Sequence, residues 1–298
     1  MTYNSIMGVT VVYMTGRKDP RLDWTIADLD QQIQPNDDVH LIVVDALGRS
    51  LGQLGVDVRS TKLKSALAIS PKPNIWQGRH RVTLADWWAK SSASNTALVL
   101  CKTDFVAFLD DRCRLGPQWL KTVRRAERER DAVVVGTYDK IDVTGKVTVD
   151  HRRERSPEGK RDCGGGWLYG CTFALPLAWC LEANGFEEGC DGLSGEDYIF
   201  GFMLENNGHR IDFDPALLVT LERSSLHGNT YLRVDKGQSP DDKSHAALAR
   251  FRKRKRTEFT PDLTVMRAAL ARGGSFPIPD PNGDYRDWYD GALIKDAR

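Results

Sequence analysis

Phe105-Val-Ala-Phe-Leu-Asp-Asp-Arg112 joins an uninterrupted apolar run to two adjacent carboxylates. Hydrophobicity without alternation marks a strand covered on both faces, as in a parallel sheet flanked by helices. Such a strand delivers whatever follows it to the carboxyl edge of the sheet, where open α/β folds bind ligands. Asp110 and Asp111 are thereby expected at a ligand edge, where paired carboxylates can hold a divalent cation or accept from ribose hydroxyls. A strand that merely ends in a polar turn has the same local pattern. The surrounding segments decide between the two.

Upstream, Gly8-Val-Thr-Val-Val-Tyr-Met14 predicts a first buried strand, followed by a loop over Thr15-Gly-Arg-Lys-Asp-Pro20. Leu22, Ile26, Leu29 and Ile33 recur at helical spacing and stop at Gln34-Pro35. Val39–Val44 is a second apolar strand, ending on Asp45. Strand, helix and strand in this order imply parallel pairing through a right-handed crossover. Thr83-Leu-Ala-Asp86 predicts the start of a helix holding Trp87 and Trp88, and Asn95–Lys102 a short helix feeding the central strand.

Downstream, Pro117 opens a helix carrying Trp119, Leu120 and Val123, and Ala132–Gly136 reads as a strand. Ile141–Val149 predicts a β-hairpin turning at Thr144-Gly145. The charged stretch His151–Asp162 predicts a mobile loop, continued by Cys163-Gly-Gly-Gly166. Trp167–Phe173 reads as a strand, Pro176 as the start of a short helix, and Glu196 as the start of another that stops at Asn207-Gly208. Strands over Arg210–Phe213 and Leu217–Leu221 close the core, with later helices at Ala246–Lys253 and Leu263–Ala271. The expected organisation is an α/β domain over residues 1–228, a mostly parallel central sheet with flanking helices, and a helical and partly irregular C-terminal tail over 229–298.

Lysine plus arginine number 42 against 41 acidic residues in 298, so net charge supplies no general attraction to nucleic acid or membrane. One run, Arg250-Phe-Arg-Lys-Arg-Lys-Arg256, is concentrated enough to contact a polyanion. Cys101, Cys113, Cys163, Cys171, Cys180 and Cys190 lack zinc-ligand spacing and are expected as reduced, packed thiols. Neither a basic-then-apolar leader pattern nor a bilayer-length apolar run is present, which leads to the expectation of a soluble, cytoplasmic protein without a transmembrane segment.

Three blocks resemble the GT-A class of nucleotide-sugar glycosyltransferases, a Rossmann-like fold, and specifically the inverting family 2 group. The first is Asn95-Thr-Ala-Leu followed by Asp104-Phe-Val-Ala-Phe-Leu-Asp-Asp111, similar to that group's Arg-Asn-x-Gly helix and Asp-x-Asp strand end. The second is Gly165-Gly166 with Gly170-Cys-Thr-Phe-Ala-Leu-Pro176, similar to its glycine-rich acceptor-side segment. The third is Gly195-Glu-Asp-Tyr198, similar to the Glu-Asp motif at a helix start that supplies the general base. The resemblance spans roughly Val9 to His227.

The resemblance implies that Thr15, Arg17 and Asn95 border the donor, a UDP-sugar. It puts Asp45 on the uracil ring, Asp110 on the ribose and Asp111 near the diphosphate. Asp197 is then the general base and Glu196 orients the acceptor, with Asp111 and His227 as ligands of Mn²⁺ or Mg²⁺. Arg112 occupies the position where the group usually carries its third acid, so either Asp111 ligates in a shifted register or a guanidinium supplies the charge directly. Ser94 stands where an arginine is usual before Asn95, which passes the donor-phosphate contact to Arg79, His80 or Arg81. Beside Gly166, Trp167 and Tyr169 are expected to stack on an acceptor ring, whereas Trp76 reads as a packing residue.

A sugar-phosphate nucleotidyltransferase shares a similar sheet, and a catalytically silent nucleotide-sugar-binding protein on this fold is the other alternative. The acceptor is expected to be a glycan precursor, or DNA bearing a modified base held by Arg250–Arg256 and the arginines of 152–161.

Overall fold

The computed structural model describes residues 6–72, 89–191, 195–222 and 249–276. Trp76, Arg79, His80, Arg81, the helix start at Thr83–Asp86 with Trp87 and Trp88, His227, and the beginning of the helix expected at Ala246–Lys253 lie outside the described residues.

The chain runs β1 (Ile6–Thr15), α1 (Leu22–Gln32), β2 (Val39–Asp45), β3 (Ser65–Ile69), α2 (Lys90–Leu100), β4 (Thr103–Leu109), β5 (Cys113–Leu115) and α3 (Trp119–Glu129). It continues β6 (Val133–Ile141), β7 (Val147–Val149), α4 (His151–Arg155), β8 (Thr172–Pro176), α5 (Leu177–Glu182), α6 (Glu196–Asn206), β9 (Ile211–Glu222) and α7 (Leu263–Ala271). One sheet takes them in the order β3-β2-β1-β4-β8-β6-β9-β5, with β7 paired to β6. The β3-β2-β1-β4 half is parallel, as expected. Beyond β4 the sheet is mixed: β8 lies antiparallel between β4 and β6, while β6 and β9 are parallel.

The apolar run of β4 is explained by layers on both faces. Val106 and Phe108 belong to the core cluster that includes α2, α5, α6 and α7 residues, whereas Phe105, Ala107 and Leu109 pack with α1 and α3. Strand β1 divides in the same way, Val12 and Met14 against Val9, Val11 and Tyr13. Phe108 stacks on Phe173 at 4.7 Å between centroids, which ties the parallel half to the antiparallel one.

Several local readings change. The stretch after Val149 is not all loop: Asp150 accepts from the Arg152 amide and caps α4, and the Arg152 guanidinium turns inward onto that same buried carboxylate. The strand expected at Trp167–Phe173 is a 3₁₀ turn at Gly165–Trp167 followed by β8. The two strands expected after Arg210 are one, β9, with a shift of register against β6 near Pro215. The hairpin at Ile141–Val149 forms as read. Strand β3, absent from the sequence reading, is a partly exposed edge strand.

The described part of the tail docks closely. The Asn184 carboxamide donates to Thr257 Oγ1, Thr260 O and Pro261 O and accepts from the Leu263 amide. Arg267 Nη1 donates to Leu98 O at 2.5 Å, meeting a carbonyl at the end of α2 that the helix itself cannot satisfy. No helix among the described residues is long and apolar enough to cross a membrane.

Candidate active site

The register of β1 with β2 pairs Thr15 with Asp45, and that of β1 with β4 pairs Tyr13 with Leu109. The carboxyl ends of all three strands therefore finish together, where the strand order reverses, at the crevice predicted for ligand binding. Thr15 Oγ1 donates to Asp111 Oδ2 at 2.7 Å, and Arg17 Nε donates to Asp111 Oδ1 at 2.9 Å. Burial pushes the Asp111 carboxyl up, while Arg17 and the Thr15 hydroxyl pull it down. Thr15, Arg17 and Asp111 thus form one hydrogen-bonded unit at the expected donor edge.

Asp45 lies at the same edge but is fully buried, and the chain itself occupies it. Its Oδ1 accepts from Leu47 N and Arg49 Nη2, and its Oδ2 from Arg49 N and Nε, distances of 2.8–3.2 Å. Arg49 also donates to the Lys18 and Arg17 carbonyls, so the pair buckles the loop after β1 onto the loop after β2.

The second carboxylate group is assembled around a residue the sequence reading passed over. Lys90 is the first residue of α2, and its Nζ lies 2.8 Å from Asp110 Oδ1 and 3.6 Å from Glu196 Oε1. Asp197 Oδ2 accepts from the Gly170 amide at 2.7 Å. A single point, the place a Cβ on Gly170 would take, is 2.6 Å from Lys90 Nζ and 3.3 Å from Asp197 Oδ2. Asp110, Glu196 and Asp197, 86 or more residues from Asp110 in the two latter cases, therefore converge on one ammonium. Burial alone would lower the Lys90 ammonium, but the charges of Asp110, Glu196 and Asp197 outweigh it and hold it raised. Burial raises the Glu196 carboxyl; Lys90 opposes the rise and the Asp197 charge adds to it.

A cation at a helix start opposes the helix dipole. Here the buried Asp191 carboxylate accepts from Ser91 N at 2.7 Å and Ser92 N at 3.1 Å, covering the helix end that carries Lys90. Glu196 and Asp197, by contrast, occupy the first turn of α6, where acidic side chains complement the dipole.

Backbone packing holds α6 against the glycine-rich segment 165–170. A Cβ on Gly165 would lie 2.5 Å from Gly201 C and Phe202 N, so at this position glycine permits backbone-to-backbone contact with α6. Gly166 is exposed beside it. Trp167 is half-buried, set edge-on to Phe213 with the Lys160 ammonium over its ring. Tyr169 carries the Arg152 guanidinium 3.8 Å from its ring centre and lies near Tyr138. Arg152 also donates to the Trp167 and Gly136 carbonyls, so one buried cation braces the whole segment.

Two expected donor residues stand apart. Asn95 is fully buried: its Nδ2 donates to Phe186 O and Glu188 Oε1, and its Oδ1 accepts from Phe186 N, which makes it a strut between α2 and the turn after α5. Arg112 has φ 55° and directs its guanidinium to Asp19 and Glu222 at 3.1 and 3.2 Å. It closes the loop after β1 rather than joining the group around Lys90.

Residues 76–182 match the family described as Glycosyl transferase family 2. Together with the sheet order, this places the chain on a GT-A-like fold with a family 2-like segment over residues 76–182. Among solved structures, S. aureus TarS 1-349 in complex with UDP is similar at TM-score 0.57 and 16% identity, covering 82% of this chain and 64% of that one. The complex of the same protein with UDP-GlcNAc gives TM-score 0.57, 16% identity, and coverage of 82% and 66%. TarS 1-349 without ligand gives 0.54, 17%, 72% and 60%. The chain spans less than two thirds of the length of these structures. No curated protein matches it in sequence.

GT-A enzymes commonly use a divalent metal, but the donor set among the described residues, which do not include His227, does not fit one. No group of three or more His, Cys, Asp or Glu among the described residues could hold an ion. Asp111 is engaged by Thr15 and Arg17, and Asp110 by Lys90. A Mg²⁺ on Asp110 Oδ1 at about 2.1 Å would stand within about 5 Å of the ammonium. At an effective dielectric of about 20, the Lys90 repulsion alone is about 7 kcal/mol, set against the attraction of the same ion to Asp110, Glu196 and Asp197.

Proposed function

We propose that the chain transfers a sugar from a UDP-sugar to an acceptor hydroxyl with inversion, with Asp197 as general base. The observation that carries this reading is the convergence of Asp110, Glu196 and Asp197 on one side of the sheet, at the carboxyl edge shared by β1 and β4. Inverting transfer is a single displacement. One carboxylate takes the proton of the attacking hydroxyl while the bond from the anomeric carbon to the diphosphate breaks on the opposite side. Asp197 suits the base because Gly170 N and Tyr198 N each donate to one of its oxygens and hold the carboxylate beside the glycine-rich segment.

Donor contacts fall to Thr15, Arg17, Asp110 and Asp111, with Asp45 shaping their loop. Glu196 orients the acceptor, and Gly166, Trp167 and Tyr169 border it. The complexes of TarS with UDP and UDP-GlcNAc support a UDP-linked donor on this fold. Within the basic run of six cations, Arg250 and Arg254 share Glu258 and Arg256 pairs with Asp262, so two carboxylates meet part of its charge; a glycan is the acceptor of this reading ahead of DNA.

The test is release of UDP from a panel of UDP-sugars, with and without simple glycoside acceptors, by the parent and by Asp197→Asn. The reading requires turnover by the parent and a loss of at least about 100-fold in the variant with UDP binding kept. Equal turnover by the two proteins would refute the assignment of the base.

A further inference from the structure

Resting on the glycosyl-transfer reading above, we propose that the Lys90 ammonium supplies the positive charge for the departing diphosphate, so that this enzyme works without a divalent cation. The geometry is specific. Lys90 Nζ stands 2.8 Å from Asp110, the carboxylate assigned to the donor, and against the Gly170 backbone, whose amide donates to the base Asp197. Among the described residues it is the cation placed between the donor carboxylate and the base. Its side chain keeps 21% exposure and Asp110 keeps 33%, so the ion pair is reachable from solvent rather than sealed. The structure also spends local stability on this placement, since the cation sits at a helix N-terminus and a separate buried acid, Asp191, is needed to satisfy the helix end beneath it.

In the displacement, the acceptor oxygen bonds to the anomeric carbon and its proton passes to Asp197. The bond from that carbon to the β-phosphate oxygen breaks, and its electron pair leaves on the diphosphate. Lys90 keeps its proton throughout and acts by charge, donating hydrogen bonds to the diphosphate oxygens as Asp110 moves to the ribose. A preorganised cation at the point where negative charge develops serves the role otherwise filled by an ion.

The experiment compares the parent with Lys90→Gln, which keeps length and polarity without charge, and Lys90→Arg, which keeps the charge. UDP binding is measured by calorimetry and UDP-sugar turnover by UDP release, each in EDTA and again with Mn²⁺ or Mg²⁺; melting temperatures report folding. The expected result is a parent whose binding and turnover are the same in EDTA and in metal. Lys90→Gln should lose about 100- to 1000-fold in kcat, the size of loss seen when one preorganised donor to a developing charge is removed. Lys90→Arg should fall less than Lys90→Gln. A parent that needs metal for UDP binding or turnover, or a folded Lys90→Gln with the parent's kcat, overturns the inference while leaving glycosyl transfer intact. If the parent turns over no UDP-sugar, the transfer reading fails instead. The calorimetry then judges Lys90 alone: metal-free UDP binding weakened in Lys90→Gln supports it, and unchanged binding overturns it.

Discussion

Replacing Gly165 by alanine tests how the acceptor-side segment is held against the helix that carries Asp197. The added methyl carbon would lie 2.5 Å from Gly201 C and Phe202 N and 2.6 Å from Gly201 O, all backbone atoms that cannot swing aside. Reaching an ordinary contact of about 3.4 Å requires the turn and α6 to part by roughly 0.9 Å, and overpacking of this kind costs about 1–3 kcal/mol. For a chain of this size that is a fall in Tm of about 2–10 °C. The same displacement opens the distance between Gly170 and Asp197, and a misplacement near 1 Å costs about 100-fold in rate. Differential scanning calorimetry and UDP-release kinetics on Gly165→Ala measure both effects. Gly52→Ala is the control, because its Cβ would meet nothing closer than 4.0 Å. A Gly165→Ala protein as stable and as active as the parent would refute the packing argument.

Arg152→Met should lower stability by about 3–5 kcal/mol in urea unfolding, because it strands the fully buried Asp150 carboxylate; Asp150→Asn in the same chain should recover part of that loss, and an unchanged midpoint would contradict the bracing role. Glu196 has a folded-state carboxyl raised by burial, so its contribution favours the fold below the unfolded value of about 4.3 and is lost as pH rises through the higher folded value. Glu196→Gln should therefore show a smaller decline in unfolding free energy across that window than the parent; an identical pH profile would count against it. All six cysteines are buried, with the thiols of Cys101, Cys163 and Cys171 each pushed up to about 12 chiefly by burial. Ellman's reagent at pH 8 should find none reactive in the native protein and all six after denaturation.

The sheet was legible where hydrophobicity alone carries the signal. Strands β1, β2 and β4 and helices α1, α6 and α7 follow from runs and periods in the sequence, because both faces of those strands and one face of each helix are buried. Strands β3 and β5 were not legible: one is a half-exposed edge and the other is three residues long, so neither leaves a pattern. The charged stretch after Val149 hid a core cation, since a sequence cannot show that Arg152 turns inward onto Asp150. In the site, the carboxylates were found because they end strands or open helices. Lys90 is not legible because the apolar pattern predicts the helix from Asn95, five residues after the α2 start, and the Ser-rich turn between them carries little hydrophobic signal. Asn95 and Asp45 show the converse limit, polar residues in family-like positions whose hydrogen bonds are consumed inside the fold.

The central claim is that two carboxylate groups from distant parts of the chain face one diphosphate-bearing ligand. A crystal structure with UDP bound tests it most directly. The account predicts the diphosphate between Lys90 and the Thr15–Arg17–Asp111 unit, with the Asp197 carboxylate on the open side of the β-phosphate. UDP seated elsewhere, or a diphosphate with Lys90 still closed on Asp110 and turned away from it, would contradict the account.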